Sequence, residues 1–426
     1  MKAWFLLLMV CSTQLLASEP ESTNDDGSND WGDDWAEETA YQLSHELSYS
    51  FAGIIQSDSV NRENSVANEF RYRSEFVYPA ESYTLNLEYE VIGDFLLDDE
   101  QLSLRQLNLI KPVGSTTDLK IGRQVITWGT GDLLFLNDLF SKDWQSFFNG
   151  RDNRYLKPPV DAIRLSQYHD SVNWEVAFLP DFVPDNTPTG ERYSLFLPGS
   201  GITQPTPNLN FFEPEKAEIA ARLFQTVQGV EWALYGYTGF FKSPSKLLAN
   251  GSLSYAEMDA FGASIRLPFA GGLFNAEIVA YQSKEDPDGS NPLINNSQNR
   301  LLLGFETELV KNTTIAIQAY LEQTRDRDNL IANLLPGQSI PDEHRTLYTM
   351  RLTHLALQQK LVNSVMYFYS PSDRDYYLRY SSSYKFSDNW KTVLGVNLLD
   401  GKHPETFLAQ MQDNSNAFLR VQYHFQ

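Results

Sequence analysis

The feature that most constrains the fold is a repeated segment of about ten residues in which apolar and polar side chains alternate. Residues 83–91 (YTLNLEYEV) put every odd-numbered apolar residue on one side, and 44–51, 171–178 and 417–425 follow the same pattern. Successive side chains of a β-strand point to opposite faces, so these segments predict strands with one apolar and one polar face. They are also rich in Tyr, Phe and Trp, as the wall of a membrane β-barrel requires.

The connections between about eighteen such segments alternate between short and long. Turns near 80, 114, 169, 228, 270, 312, 358 and 388 are short, whereas 181–215, 242–253, 284–298, 326–343 and 400–414 are long and polar. The connection near 370 (SPSDR) is the shortest of the second class. Short periplasmic turns and long external loops are typical of outer-membrane barrels. We therefore predict an all-β, transmembrane, antiparallel up-and-down barrel of about 18 strands, with 16 as the alternative if two segments belong to loops.

The N-terminal region predicts export. Residues 1–18 contain one lysine, a short apolar run and small residues at the end, as in a secretory signal peptide. Residues 19–40 form an acidic tail, with nine acidic residues and no basic one between 19 and 38, a composition typical of disorder. The barrel would then occupy 41–426. Cys11 is the only cysteine, so we expect no disulfide in the exported chain.

Charge and motif content argue against several functions. The net charge is −22, and the chain remains acidic without its tail, which argues against a nucleic-acid partner. The six histidines are scattered, and no Gly-x-Ser-x-Gly or His-Glu-x-x-His motif is present. We predict neither catalysis nor a cofactor or metal site. The lipid bilayer is the partner that the barrel pattern itself requires.

An irregular hairpin lies between residues 102 and 125. The apolar phase slips at Arg105–Gln106, and Arg123 shares a side with apolar Ile121 and Val125. A turn near Gly114 would place Gln106 opposite Arg123, so a β-bulge there could turn Arg105 and Arg123 into the lumen. An arginine facing lipid near the bilayer centre would otherwise cost roughly 2–4 kcal/mol. The alternative is that the strand register differs from this one.

The segment after this hairpin, residues 128–158, predicts an inward-folding loop that contains a short helix. Asn137 or Asp138 would cap a helix with an apolar face of Phe140, Trp144, Phe147 and Phe148, and Asn149-Gly150 would end it. Loops of this length are usually functional or disordered, and caps at both ends argue against disorder. We expect the loop to narrow the channel, and the alternative is an external cap that only rigidifies the rim. The predicted constriction residues are Arg71, Arg73, Arg105, Arg123, Gln124, Trp128, Asp132, Asp138, Arg151 and Arg154.

Charged residues of both signs fall on the polar side of the predicted strands. Because a dry interior could not solvate them, they predict a wet lumen, in which Arg71, Arg73, Arg105 and Arg123 could form a basic strip. Structural salt bridges across the lumen are the alternative for most of them. The other predicted lumen residues are Glu69, Glu75, Glu88, Glu90, Arg164, Glu175, Glu218, Arg222, Glu231, Glu277, Glu306, Arg351, Arg379 and Arg420.

The segment Gly122-Arg123-Gln124, followed by Trp128-Gly129, Asp132 and Asn137-Asp138, resembles the signature of a porin-like outer-membrane family. That family is similar in outline to the alginate-export porins, and the resemblance covers about forty residues. It implies an outer-membrane channel or export component, with a periplasmic or inner-membrane transporter as a candidate partner. Alginate-export porins use strongly basic lumens, whereas this chain is acidic, which argues against a polyanionic cargo.

Two functions of different classes follow from the sequence. The first is a porin-like channel for small polar or amphiphilic solutes, constricted by loop 128–158. The second is a plugged or gated barrel that acts as a receptor or as part of an export system. In that case the acidic tail, with Trp31 and Trp35, could recruit a periplasmic partner. Electrical conductance separates the two, because an open channel conducts without a partner.

Overall fold

A computed structural model describes residues 41–56, 64–197, 200–203, 210–336, 338 and 340–426. The predicted signal peptide (1–18) and acidic tail (19–40) lie outside the described residues and remain predictions.

Eighteen antiparallel strands form one closed sheet, as the alternation predicts. Each strand pairs with its neighbour in the chain, and β18 pairs with β1 to close the barrel, so the sheet has no free edge. The strands are β1 Gln42–Ile54, β2 Ser65–Ala80, β3 Tyr83–Asp94, β4 Asp99–Val113, β5 Thr117–Gln124, β6 Val160–Gln167, β7 Asn173–Leu179, β8 Glu218–Val227, β9 Val230–Phe240, β10 Glu257–Phe269, β11 Gly272–Ser283, β12 Gln298–Val310, β13 Thr313–Thr324, β14 His344–Ala356, β15 Leu361–Ser370, β16 Asp375–Lys385, β17 Trp390–Gly401 and β18 Asn416–Phe425.

The two ends of the barrel differ, because short turns and long loops alternate around it. The predicted turns near 80, 114, 169, 228, 270, 312, 358 and 388 all connect consecutive strands at one end. We call this the short-turn end, which faces the periplasm in outer-membrane barrels, and the other the loop end. Two connections at the loop end are tight, namely 95–98 and 371–374. The short connection near 370 therefore belongs to the loop end, as predicted.

The outer face of the wall carries exposed apolar side chains. Leu102, Phe261, Ile278 and Leu394 are each more than half exposed, on strands spread around the barrel. A ring of exposed apolar side chains is what a lipid bilayer covers in a membrane barrel. In the part of the chain that the structure describes, no helix combines the length and apolar character needed to cross a bilayer.

The hairpin of β4 and β5 corrects the prediction for Arg123. The bulge lies on β4 at Arg105 and faces β3 rather than β5, because Gln106 pairs with Glu88 while Leu104 pairs with Tyr89. Arg123 pairs with Leu107, one residue beyond the predicted Gln106. Cross-strand partners share a face, and Leu107 is exposed on the outer face, so Arg123 points outward and Arg105 points inward. The alternative of a different register was correct.

The helical segments are short. The loop between β5 and β6 contains α1 (Trp144–Phe148) and a 3₁₀ turn at Asn153–Leu156. Asp143, not Asn137 or Asp138, caps α1, whereas the predicted stop at Asn149-Gly150 is correct. A second helix, α2 (Arg327–Asn333), and a 3₁₀ turn at Ala409–Asn414 lie in loops at the loop end. The loops between β7 and β8 and between β9 and β10 contain the short strands Leu195–Leu197, Gly201–Thr203, Phe211–Phe212, Lys246–Leu247 and Leu253–Ser254.

Candidate functional site: a loop across the lumen

Residues 125–159, here the inward loop, run inside the barrel and bind two opposite walls. Residues 128–137, the entry arm, bind β11, and residues 147–155, the return arm, bind β2 and β3. Strands β2 and β11 are nine positions apart in an eighteen-strand ring, so they face each other across the diameter. The loop therefore crosses the lumen from one wall to the other.

The entry arm closes around one carboxylate of the wall. Glu277 on β11 accepts hydrogen bonds from the backbone N–H groups of Thr130, Gly131 (2.7 Å) and Asn137 (3.1 Å). The side chains of Thr130 (3.0 Å) and Asn137 (2.9 Å) also donate to it. Converging backbone N–H groups form a concave anion site, and here the wall itself supplies the anion.

The glycines of the Trp-Gly-x-Gly motif make this approach possible. Gly129 has a φ of +81°, and a Cβ added there would lie 2.9 Å from a Glu277 carboxylate oxygen. A Cβ on Gly131 would lie only 2.1 Å from the carbonyl oxygen of Leu134. On β10, the neighbour of β11, a Cβ on Gly262 would lie 1.8 Å from the side chain of Asn137. The motif therefore encodes a backbone that fits closely around Glu277.

Trp128 begins the entry arm and is anchored to a second wall carboxylate. Its indole N–H donates to Glu175 on β7 at 2.8 Å, and its ring packs edge-on against Phe140 with centroids 5.1 Å apart. Arg222 lies over the same indole at 5.3 Å from its centroid. A buried tryptophan usually finds an acceptor for its N–H, and Glu175 fulfils that need.

Asp138, which follows the entry arm, forms a small charged cluster with two lysines of the loop. It lies 3.2 Å from both Lys142 and Lys157, and the Thr127 hydroxyl donates to it at 2.9 Å. Burial lowers the pKa of the Lys142 ammonium below its usual range, and the charge of Asp138 offsets only part of this effect. Asn137 and Asp138 are thus occupied by wall and loop contacts, and neither is placed to cap α1, because that helix begins only at Trp144.

The return arm is fixed by ion pairs to buried carboxylates of β2 and β3. Arg151 donates to Glu69 at 2.7 Å, and Arg154 donates to Glu88 at 2.6 Å. The Tyr155 hydroxyl donates to Glu90, with Arg71 and Arg105 each lying 4.8 Å from the centre of its ring. Because these carboxylates are almost fully buried, their partners replace the hydration that the charges lose.

Strands β16 to β18 hold the same arm by its carbonyl groups. Asn397 donates to the Phe148 carbonyl at 3.1 Å, and Arg420 donates to the Gly150 carbonyl at 3.1 Å. Arg379 lies 3.4 Å from the carbonyl oxygens of both Phe147 and Arg151. These contacts satisfy carbonyls at the end of α1, where a helix leaves its acceptors unpaired.

Residues of two other loops cover α1 on the side towards the loop end. Tyr193 is fully buried and donates its hydroxyl to the Gln145 carbonyl at 2.8 Å. Burial raises the pKa of the Tyr193 phenol, so it remains a neutral donor. Ser194 and Asn414 exchange hydrogen bonds of 2.8 and 2.7 Å, which link the loops before β8 and before β18.

The Gly-Arg-Gln part of the motif has a structural role at the top of β5. A Cβ on Gly122 would lie 2.2 Å from the Leu107 carbonyl. Arg123 donates to the Leu104 carbonyl at 2.7 Å, beside the bulge, and pairs with Asp161 at 3.1 Å. The Gln124 amide donates to the carbonyls of Gly122 and Ala162. These residues secure the irregular hairpin from which the inward loop departs.

The predicted site residues therefore divide into two sets. The structure brings Arg71, Arg105, Arg151 and Arg154 together at β2 and β3, while Arg73 pairs with Glu46 at 3.1 Å nearby. Arg123 does not join them, so the predicted basic strip lacks that member. The others in this set are interleaved with acids, as the salt-bridge alternative proposed. The second set is Trp128, Asp132 and Asp138 within the entry half of the loop and Gln124 at its base.

The predicted wet lumen also needs correction at these positions. Glu69, Glu88, Glu90, Glu218 and Glu277 are each at most 2 % exposed. An apolar cluster inside the barrel, which includes Leu136, Phe148, Leu302 and Tyr377, packs between the loop and strands on several sides. Protein groups rather than bulk solvent therefore surround these charges.

Sequence reasoning missed how Glu175, Glu277 and Tyr155 act on the loop. Strand alternation places the first two in the lumen without giving them a partner, and it assigns no role to Tyr155. The glycine spacing of residues 129–131 was the available signal, because glycines mark close backbone approach. Their partner could not be identified, since it lies more than a hundred residues away in the chain. Among the described residues, no three His, Cys, Asp or Glu side chains cluster as metal ligands would.

Comparison with known proteins supports the fold. No family model matches the chain, and no curated protein matches it. Among solved structures, the outer membrane protein opdK from Pseudomonas aeruginosa superposes with a TM-score of 0.55 at 8% identity, covering 91% of this chain and 99% of that one. OccAB4 from Acinetobacter baumannii gives 0.54 at 11% identity, with coverages of 91% and 99%. OccK11 (OpdR) from P. aeruginosa gives 0.53 at 10% identity, with coverages of 90% and 96%.

At such low identity the likeness shows the fold alone. Together with the closed eighteen-strand sheet and its apolar outer face, it confirms the predicted outer-membrane β-barrel. The alginate-export resemblance and the prediction that the chain is not an enzyme remain predictions.

Proposed function

We propose that the protein is a porin-like channel of the outer membrane, through which small polar or amphiphilic solutes pass, and that the inward loop constricts it. Barrels of sixteen to eighteen strands are wide enough to enclose an aqueous channel. The observation that carries the proposal is the course of the loop, which is bound by Glu277 on one wall and Glu69 on the opposite wall. A segment that crosses the diameter must narrow whatever path the barrel provides.

Charges near the loop would select solutes by size and charge. Arg154 and Lys157 belong to the loop and keep about a third of their side-chain surface exposed. Asp132 and Arg351, which pair at 3.0 Å, are exposed to a similar degree. Charged side chains that line a narrow passage impose such selection. Both signs are present, which favours small polar solutes over a polyanion.

A gated barrel that acts as a receptor or export component is the second candidate. The apolar cluster between loop and wall favours it, because such packing resists solvent. The layer of Tyr193 and Asn414 over α1 adds to this closure. A periplasmic or inner-membrane partner, recruited by the tail of residues 19–40, remains part of this second proposal.

Single-channel conductance in a planar bilayer tests both. The refolded protein would be compared with a variant lacking residues 130–155 and with the double variant E69Q/E277Q, which weakens the loop at both walls. The control is E46Q, since Glu46 is also buried but pairs with Arg73 and not with the loop.

Steady conductance that rises in the deletion and in E69Q/E277Q, but not in E46Q, is the result we expect. No conductance in the intact protein, with conductance after the deletion, would favour the gated candidate. Silence in both, with the barrel shown to be folded, would overturn the channel proposal.

A further inference from the structure

A cavity of about 290 Å³ lies between the entry arm and the wall. Its wall residues come from β10 to β14, close to the ends at which short turns connect these strands. Arg266, for example, is three residues before the end of β10, and Leu273 is the second residue of β11. The cavity is therefore on the short-turn side of the loop, and Gly129–Asp132 form its inner boundary.

The lining of this cavity is polar and carries both signs of charge. Arg266, Glu306 and Arg351 come from the wall, and Asp132 comes from the loop. Asp132 forms an ion pair with Arg351 at 3.0 Å. Glu306 lies 3.9 Å from Arg351, and its side chain is 44 % exposed. Glu306 is thus only loosely paired and retains capacity to accept hydrogen bonds.

Arg266 is the unpaired cation of the cavity. No described residue forms an ion pair with it, and this includes its cross-strand neighbour Glu231. Arg266 pairs in register with Asn275, and Glu306 pairs with Leu273 on the same strand. These two strand steps and a two-residue offset separate the Cα atoms of Arg266 and Glu306 by about 12 Å. The two charges therefore line one cavity from next-but-one strands of the same wall.

Two amide side chains line the same cavity, Asn275 on β11 between the two charges and Gln318 on β13 beyond Glu306. Asn275 donates to the Thr130 carbonyl at 3.3 Å, and Gln318 accepts from the Leu133 N–H at 3.2 Å. Both are thereby held in place by the loop. Fixed amides beside two separated charges suit a ligand with polar groups at both ends.

We propose that this cavity binds a small zwitterionic solute, with its carboxylate on Arg266 and its ammonium on Glu306. The proposal deepens the channel function, on which it rests, by assigning a solute class and a binding site on the short-turn side. Guanidinium groups bind carboxylates in bidentate geometry, which favours this orientation. A solute that must also leave the channel needs only weak affinity, with a Kd of about 1 mM.

Isothermal titration calorimetry on the refolded full barrel in detergent tests this directly. The probe is L-serine, and acetate and ethylammonium are half-probes that carry one charge each. We expect L-serine to bind at least about tenfold more tightly than either half-probe, because only the zwitterion engages both charges. Equal binding of the three, or no binding of L-serine, would overturn the proposal.

Variants locate the site. R266Q and E306Q should each weaken L-serine binding at least about tenfold, and R266K should retain part of it. R300Q is the matched control, since Arg300 is a partly buried arginine paired with Glu322 outside the cavity. Unchanged binding in R266Q and E306Q would contradict the assignment. Each variant is first checked for the mobility of the folded barrel on an unheated detergent gel.

The calorimetry tests the binding site and the conductance measurement tests the channel function, so either proposal can be overturned without the other. A protein that conducts but does not bind L-serine is a channel without this site. One that binds L-serine but never conducts, even after deletion of residues 130–155, retains the site and loses the channel function.

Discussion

At the scale of single residues, a few close contacts decide where the inward loop lies. Glu277 accepts from three backbone N–H groups of the entry arm, an arrangement that only a tightly curved backbone can provide. Gly131 is essential to that curvature, because any side chain there would collide with the backbone of Leu134.

Gly131→Ala should therefore displace the entry arm. Forcing an additional carbon into a packed site typically costs about 1–3 kcal/mol. We expect the free energy of unfolding, measured by urea titration of the barrel in lipid vesicles, to fall by this amount. Gly93→Ala on β3 is the control, because a Cβ there meets no atom within 4 Å. Equal effects of the two substitutions would show that the fit around Glu277 does not matter.

The outward pair of Arg123 and Asp161 allows a second test at this scale. Arg123 also donates to the Leu104 carbonyl, so it is both charge-paired and hydrogen-bonded on the outer face. An unpaired charge facing lipid costs roughly 2–4 kcal/mol near the bilayer centre and less towards its edge. A double-mutant cycle of R123Q and D161N should give a coupling of about 1–3 kcal/mol.

The pair Lys385–Asp388 is the comparison for that cycle, since Asp388 is 98% exposed in a short turn. Exposed pairs contribute about 0–1 kcal/mol, so its coupling should be clearly smaller. A coupling for Arg123 and Asp161 no larger than this would show that lipid does not strengthen the pair.

At the scale of elements, the two arms of the inward loop are bound to the barrel wall by different kinds of contact. The entry arm is held mainly by hydrogen bonds from its backbone to Glu277, whereas the return arm is held by the side chains of Arg151, Arg154 and Tyr155. Glu69 is central to the return arm, because it pairs with both Arg71 and Arg151.

Glu69→Gln should loosen the return arm without opening the barrel. Removing one partner of a buried ion pair typically costs about 3–5 kcal/mol, since the remaining charges lose their compensation. We expect faster amide hydrogen exchange across 147–155, measured by mass spectrometry, and unchanged exchange in β10 to β12. E46Q provides the control, because Glu46 pairs with Arg73 at the wall. Unchanged exchange at 147–155 in E69Q would rule out Glu69 as an anchor.

At the scale of the whole molecule, closure of the sheet is what makes the barrel compatible with a membrane. β18 pairs with β1 along ten registered residues from His45 to Ile54, so no strand edge is left open. Unpaired backbone groups cannot be satisfied in lipid, which makes closure a requirement rather than a refinement.

Deletion of residues 416–426 should therefore abolish the folded barrel. It would expose the edges of β1 and β17, and the inward loop would lose Asn416 and Arg420 as well. We expect the variant to migrate identically on detergent gels with and without heating, whereas the intact barrel shifts. Deletion of Gln426 alone is the control, since that residue lies beyond β18. A heat-dependent shift in the longer deletion would show that seventeen strands suffice.

The sequence by itself determined the barrel, a strand number of about eighteen and the two unequal ends. These properties are local: alternation sets which face of each strand is apolar, and loop length sets which end it joins. The stop of α1 at Asn149-Gly150 was equally local. The inward direction of Arg105 also followed, because the slip in alternation marked the bulge.

Only the tertiary structure decided what faces what across the lumen. The register of β4 and β5 differed by one residue from the prediction, and a one-residue slip moves a side chain to the other face, which put Arg123 outside. The helix cap is Asp143 because α1 begins only at Trp144, whereas Asn137 and Asp138 bind groups of the wall and the loop. Glu277 contacts the glycines of residues 129–131 only because the barrel closes. Contacts between residues so far apart in the chain produce no periodic pattern in the sequence from which they could be predicted.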